Sequence, residues 1–200
     1  CEGLWQQAKK DCNFKLVEKS LNELIILIRE EANILSDKLK CSPYESLVQK
    51  YEPLANVQEI SIIFEDLKPF LLSSIDKIIN KQSTETLYPI NQNIKPDDQY
   101  KIAQSLMKSV GFDFYKGRLD KSEHPFCGGS TEDIRITTRY SKDDPFSSLE
   151  GVMHETGHAL YELGLPKDWQ HQPVGRSRGM VMHESQSLLI EMQITRSLAF

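Results

Sequence analysis

No C-x-x-C pair occurs among the cysteines Cys1, Cys12, Cys41 and Cys127, so neither a structural zinc knuckle nor a dithiol redox motif is encoded. Their wide spacing predicts free thiols in a reducing cytosol. Long hydrophobic runs are missing too. The longest apolar stretch, Leu24 to Ile28, is far too short to span a bilayer, and no signal peptide opens the chain. The expectation is a cytoplasmic protein with no membrane contact. Charge of one sign is also scarce: 24 Lys and Arg stand against 29 Asp and Glu, a formal net charge of -5. The bases are scattered rather than gathered into a stripe, which argues against nucleic acid or an anionic lipid surface as partner. Internal repeats and low-complexity segments are absent. What remains is an ordinary globular composition, 39% hydrophobic and 26% charged over 200 residues, enough for one sizeable domain or two small ones. Position 1 is Cys and a helical pattern begins at once, so an excerpt from a longer polypeptide is expected.

From about Leu4 to Leu39 apolar residues recur at helical spacing, which predicts one broken helix or two successive ones. Ser42-Pro43-Tyr44-Glu45 reads as a capping box with Pro at the first helical position, and Tyr51-Glu52-Pro53 ends that short helix. Next, Ile60, Ile63, Phe64, Leu67, Leu71, Ile75 and Ile78 share one helical face, expected to be core, with Pro69 bending the helix or starting a new one. Residues 81–96 are polar, hold Pro89 and read as a connector between a helical part (1–80) and a metal-binding part (97–200), both belonging to one catalytic domain. A helix is predicted from about Asp97 to Val110, then mostly loop from Phe112 to Ser130. Asp133-Ile134-Arg135-Ile136-Thr137 alternates as a short strand with Asp133, Arg135 and Thr137 on one face.

The chemistry concentrates in His154-Glu155-Thr156-Gly157-His158. Two imidazoles four residues apart on an α-helix lie on the same face one turn apart, so both reach one cation while the backbone stays regular. Glu155 lies one step round the helix, placed to hold a water rather than the metal, and becomes the general base. The sequence frames the helix with a capping box at Ser147 and Glu150 and a stop at Gly164 and Pro166. Leu149, Val152, Met153, Leu160 and Leu163 form its apolar face. Zinc suits two imidazoles, a carboxylate and an open position. A metzincin would need Gly at 161 and His at 164; the chain has Tyr161 and Gly164, which excludes that class. By spacing and chemistry alone, the third ligand stays open between Glu184, in a helical stretch from Met180 to about Arg196, and His183, His171 or His124. His183 and Glu184 face about 100° apart on a helix, so only one of them can point at the metal.

Four motifs in order, His124-Pro125-Phe126, Asp133-x-Arg135-x-Thr137, His154-Glu155-x-x-His158 and His183-Glu184-Ser185-Gln186, resemble those of the thermostable metallocarboxypeptidase family of the Taq carboxypeptidase type. A looser likeness runs through Gly111-Phe112-Asp113-Phe114, Gly117-Arg118-Leu119-Asp120 and Pro173-Val174-Gly175-Arg176, and a weaker one through Tyr51-Glu52-Pro53 and the first helices. The resemblance implies His154, His158 and Glu184 as metal ligands and Glu155 as base. It also implies a mainly α fold: a helical zincin of gluzincin-like groove architecture, with a small β-strand element near 133–140, here an incomplete domain. One zinc ion per chain is implied, with cobalt accepted by some members. The implied activity removes single residues from the C-termini of peptides with broad specificity, in a homodimer. Two further family motifs, resembling I-R-x-x-A-D and G-x-x-Q-D-x-H-W, are expected beyond Phe200, where they would hold the substrate carboxylate and stabilise the oxyanion.

Arg135 has two readings of equal weight, a contact to peptide carboxylate or carbonyl and a salt bridge with Asp133. His124 lines the groove by resemblance and packs its own loop by default. Glu162 and Glu191 are read as solvated helix faces rather than supports of the metal histidines. The competing functional readings are another zinc peptidase (aminopeptidase or oligopeptidase) and a non-catalytic zinc-binding fragment.

Overall fold

Residues 2–86 and 93–199 are described by the structure, a computed structural model. The chain divides into two compact units, Cys1–Asn91 and Gln92–Phe200. Cys1 and Pro89 lie outside the described residues, as do residues 87–92 of the expected connector.

The first unit is helical: α1 (Glu2–Lys10), α2 (Lys15–Leu39), α3 (Pro43–Tyr51) and α4 (Val57–Gln82). The expected capping box opens α3, with the Glu45 backbone N–H donating to Ser42 Oγ at 3.2 Å and the Ser42 N–H donating to the Glu45 carboxylate at 2.8 Å. It docks on α2 where the buried Ser46 hydroxyl donates to the Ala32 carbonyl at 3.0 Å, and an ion pair joins Lys50 to Glu31. Helix α4 is capped by Asn56 and passes through Pro69 without ending. Its apolar stripe, expected as core, is not: no α4 residue is buried, and Phe64 is 63% exposed. Helical periodicity tells which side chains share a face, not what covers that face.

The second unit holds α5 (Pro96–Ser109), a three-stranded sheet, α6 (Pro145–Leu163) and α7 (Met180–Leu188), which continues as a π-helical segment, Leu189–Thr195. The strands are β1 (Gly117–Lys121), β2 (Phe126–Ser130) and β3 (Asp133–Thr138). They run in the order β1-β3-β2, with β1 parallel and β2 antiparallel to β3. The expected loop from Phe112 to Ser130 is therefore corrected to two strands. Leu119 is the only large apolar side chain of β1, and two of the five residues of β2 are glycines, so neither carried a readable strand pattern. On β3 the alternation holds: Ile134 and Ile136 are buried, Asp133 and Arg135 exposed.

The core joins Ala103 and Met107 of α5, Leu119, Ile134 and Ile136 of the sheet, and Val152 and Ala159 of α6. Leu149, Leu160 and Leu163 pack on its margin. Helix α6 starts earlier than expected. Asp144 is its N-cap, accepting from the Ser147 N–H at 3.1 Å with Pro145 at the first helical position, so Ser147 and Glu150 do not form the cap. An Asp N-cap followed by Pro is the stronger start signal. The helix closes at Gly164, whose N–H donates to the Leu160 carbonyl at 3.0 Å. No helix among the described residues is long and apolar enough to cross a membrane.

Candidate metal centre

Helix α6 faces the core with Val152, Met153 and Ala159, which turns His154 and His158 together toward α7. What brings α7 close is Gly157. A Cβ at that position would stand 2.5 Å from the Ser187 Cα and 2.6 Å from the Gln186 carbonyl oxygen, both backbone atoms. Only a residue without a side chain permits this approach, and it sets Glu184, one turn before Ser187 on α7, against the two imidazoles.

Glu184 Oε1 lies 3.5 Å from His154 Nε2, and Oε2 lies 3.3 Å from His158 Nε2. Donor atoms of all three residues fall within 4.8 Å of one another. Ligand atoms held about 2.0–2.2 Å from a tetrahedral zinc ion stand about 3.4 Å apart, and each Glu184 oxygen lies at about that distance from one of the two imidazole nitrogens. The donor set, two imidazole nitrogens and a carboxylate, is that of a catalytic rather than a closed structural site.

Each imidazole has a second partner behind it. His154 Nδ1 lies 2.8 Å from Glu191 Oε2, whose other oxygen accepts from Arg196 Nη2 at 3.0 Å. His158 Nδ1 lies 2.6 Å from His183 Nδ1, and His183 Nε2 lies 2.8 Å from Glu162 Oε1. Glu162 and Glu191 are thus not solvated helix faces, their side chains being only 26% and 17% exposed. Two signals lay in the sequence unused: Glu162 follows His158 by one helical turn, and Glu191 follows Glu184 by two. The expected plain helix to Arg196 hid the second, because it is a π-helical segment that carries Glu191.

Glu155 lies beside these donors in a cleft of about 340 Å³ lined by Pro125, Phe126, Cys127, His158, Met180 and His183. Burial raises the Glu155 carboxyl above the ordinary carboxylate value; Glu184 adds to this, while His154, His124 and His183 oppose it. Burial lowers His158 below the ordinary histidine value, reinforced by His183 and His154 and opposed by Glu184. Burial pushes the Cys127 thiol up to about 12, with Glu155 and Glu162 contributing.

All four sequence motifs lie in this unit, but the cleft beside the donors takes Pro125 and Phe126 from the first and neither Asp133 nor Arg135 from the second. Thr137 Oγ1 donates to the His124 carbonyl at 3.0 Å, which fastens the loop before β2 to β3. His124 Nδ1 lies 2.6 Å from the Pro125 carbonyl, a partner that only accepts, so this nitrogen carries the proton. Arg135 pairs with Asp133 at 2.7 Å, and both are about half exposed. On neighbouring β1, Arg118 pairs with Asp120 at 2.6 Å, and Arg118 stands opposite Arg135 and Asp120 opposite Thr137, so both ion pairs lie on the outer face of the sheet. His171 is exposed and stands apart from the donor cluster. Cys12, Cys41 and Cys127 are free thiols.

Comparison with known proteins gives a consistent picture. The family model described as carboxypeptidase Taq (M32) metallopeptidase matches residues 1–200. The chain is 32% identical to thermostable carboxypeptidase 1 of Thermus thermophilus, over 100% of this chain and 41% of that protein. Among solved structures it is similar to Trypanosoma cruzi metallocarboxypeptidase 1, with TM-score 0.84 and 39% identity over 98% of this chain and 40% of that one. It is also similar to the M32 carboxypeptidase from Deinococcus radiodurans R1, with TM-score 0.81 and 26% identity over 98% of this chain and 39% of that one. The chain thus spans about 40% of the length of the relatives it matches.

Proposed function

Because the chain belongs to the carboxypeptidase Taq (M32) metallopeptidase family, and that family implies a divalent metal, we propose that it carries the metal-and-base half of a metallocarboxypeptidase site. In this reading His154, His158 and Glu184 hold one zinc ion, a place cobalt can also take, and Glu155 is the general base. The observation that carries it is the convergence of two imidazole nitrogens and one carboxylate, with Glu184 Oε1 3.5 Å from His154 Nε2, Oε2 3.3 Å from His158 Nε2, and donor atoms of all three residues within 4.8 Å of one another.

A zinc ion held by these three residues would polarise water and the scissile carbonyl and offset negative charge developing on oxygen. Glu155 takes the proton from the attacking water and passes it to the departing amine nitrogen, so a single carboxylate serves as base and then as acid. Phe126, Pro125 and Met180 give the cleft apolar walls beside Glu155. The substrates are peptides, cut at the C-terminal bond. His124 and Arg135 belong to the substrate side of the reading, supported by the resemblance of their motifs. Assembly as a homodimer rests on the same resemblance, and residence in the cytoplasm on the scattered cysteines.

Glu155→Gln in the natural-length protein tests the reading. Zinc content should stay at one per chain while peptidase activity falls by several orders of magnitude; normal turnover would remove Glu155 as base. Blocking the peptide C-terminus should abolish cleavage, and cleavage that survives blocking would point to another peptidase class.

A further inference from the structure

The two ligand imidazoles are supported by different means. His154 meets a carboxylate directly, Glu191, at 2.8 Å. His158 meets another imidazole, Nδ1 to Nδ1 at 2.6 Å, and a carboxylate stands one step further back, Glu162 Oε1 at 2.8 Å from His183 Nε2. A hydrogen bond between two Nδ1 atoms holds one proton, so one imidazole donates and the other accepts.

Glu162 decides which. An ionised carboxylate only accepts, so the His183 proton sits on Nε2, and neutral His183 offers its Nδ1 lone pair to His158. His158 must then carry its proton on Nδ1, which leaves the Nε2 lone pair free on the side facing Glu184 Oε2. The opposite arrangement, with the proton on His183 Nδ1, forces the His158 proton onto Nε2, where it blocks a cation. The surroundings hold the relay in place: the Tyr161 ring stands edge-on to His183, with centroids 5.1 Å apart, and the Tyr161 hydroxyl accepts from the Arg178 N–H at 3.2 Å.

We propose that Glu162 and His183 are positioning residues that act in series, fixing His158 in its Nδ1–H tautomer so that Nε2 is ready for the metal. The inference rests on His154, His158 and Glu184 being the metal ligands. It makes the His158 side of the site depend on two residues, neither of which touches the cation.

Zinc affinity of the natural-length protein, measured by competition with a chromophoric chelator, tests it through a double-mutant cycle. Glu162→Ala and His183→Ala should each weaken zinc binding about 10- to 100-fold. The double variant should bind zinc no more weakly than His183→Ala alone, because Glu162 works only through His183. Glu162→Gln should recover most of the loss, since its amide oxygen still accepts from His183 Nε2. Independent, additive losses would overturn the series arrangement, as would single variants that bind zinc like the parent. A second measurement needs no variant. In the metal-free parent at pH 8, where imidazoles are ordinarily neutral, nitrogen-15 NMR should find His158 protonated at Nδ1 and His183 at Nε2. The reverse pattern would overturn the proposal even if the variants failed to fold. A parent that binds no zinc would sink the ligand assignment itself, whereas a zinc-binding parent with indifferent variants would sink the relay alone.

Discussion

Replacing Gly157 by Ala should disable the site without touching a single proposed ligand. The added methyl would sit 2.5 Å from the Ser187 Cα and 2.6 Å from the Gln186 carbonyl oxygen, where ordinary contact starts at 3.4 Å. Both obstacles are backbone, so no rotamer change relieves them, and α7 must retreat by about 0.9 Å or tilt by an equivalent amount. Metal–ligand distances tolerate about 0.2 Å. A retreat of that size takes Glu184 out of reach of a cation shared with His154 and His158. Losing a partner behind a ligand costs about 10- to 100-fold in metal affinity, so displacing the ligand itself should cost at least about 100-fold. The fold should lose far less: overpacking costs about 1–3 kcal/mol, offset by the roughly 0.5–1 kcal/mol that Ala gains over Gly inside a helix. The assay is chelator competition for zinc alongside thermal melting of the metal-free protein. Gly151→Ala is the control on the same helix, because its Cβ would meet only the Pro125 side chain, at 3.6 Å. It should melt higher and bind zinc normally. Gly157→Ala with full zinc affinity would refute the claim that helix proximity builds the site, and an equal loss in Gly151→Ala would show that any bulk on α6 is harmful.

Further outcomes follow from single groups. With its pKa pushed up to about 12 from an ordinary value of 9, Cys127 ionises about a thousandfold less than a free thiol at pH 8. Alkylation should therefore mark exposed Cys12 well before Cys127, as read by peptide mass mapping; comparable rates would mean the cleft wall opens readily. The raised pKa also carries a sign for stability: the contribution is fully present below about pH 9 and is lost as pH rises toward 12. Asp144→Ala should cost about 1 kcal/mol by removing the acceptor of the Ser147 N–H, lowering the urea midpoint at constant m-value. An unchanged midpoint would reinstate Ser147 as the cap. Arg135→Ala should raise KM with kcat little altered if that side chain leaves Asp133 to hold peptide; unchanged kinetics would leave it a structural ion pair.

The site was legible where one regular helix spells it. His154 and His158 are one turn apart whatever surrounds them, and the apolar face of α6 tells which way they point. Glu184 was not legible in that way, because the chain between Gly164 and Gly179 is irregular and no periodicity carries across it; the family motif supplied it. Glu162 and Glu191 were misjudged for a related reason. An acid on a helix is usually solvated, and only the tertiary contact of α6 with the 180–196 stretch shows these two half-buried behind imidazoles. The π-helical turns compounded this for Glu191, since nothing in a 3.6-residue pattern announces them. Strands β1 and β2 escaped notice because pairing with β3, not their own composition, makes them strands. The α4 stripe shows the converse failure, a clear pattern whose burial does not follow from the pattern.

The partners of the two imidazoles come from α6 itself or from residues 180–196, and none comes from the sheet. The sheet contributes the opposite wall of the cleft, through Phe126 and Cys127 on β2 and through the Thr137 bond that fastens His124. The two sides should therefore separate by experiment. Changes along α7 and the π-helical segment act on the donor atoms, so they alter metal affinity first and activity as a consequence. Changes along β2 and β3 leave the donors where they are and act on what lies against Glu155, so metal affinity stays while KM or kcat moves. Gly157 belongs to the first group, although it lies between Glu155 and His158 in sequence, because the three atoms across the helix contact nearest a Cβ there all belong to the backbone of Gln186 and Ser187. Thus Gly157, inside the H-E-x-x-H motif, is expected to behave as part of the α6–α7 junction, and its substitution should produce the phenotype of a lost ligand rather than of a lost base.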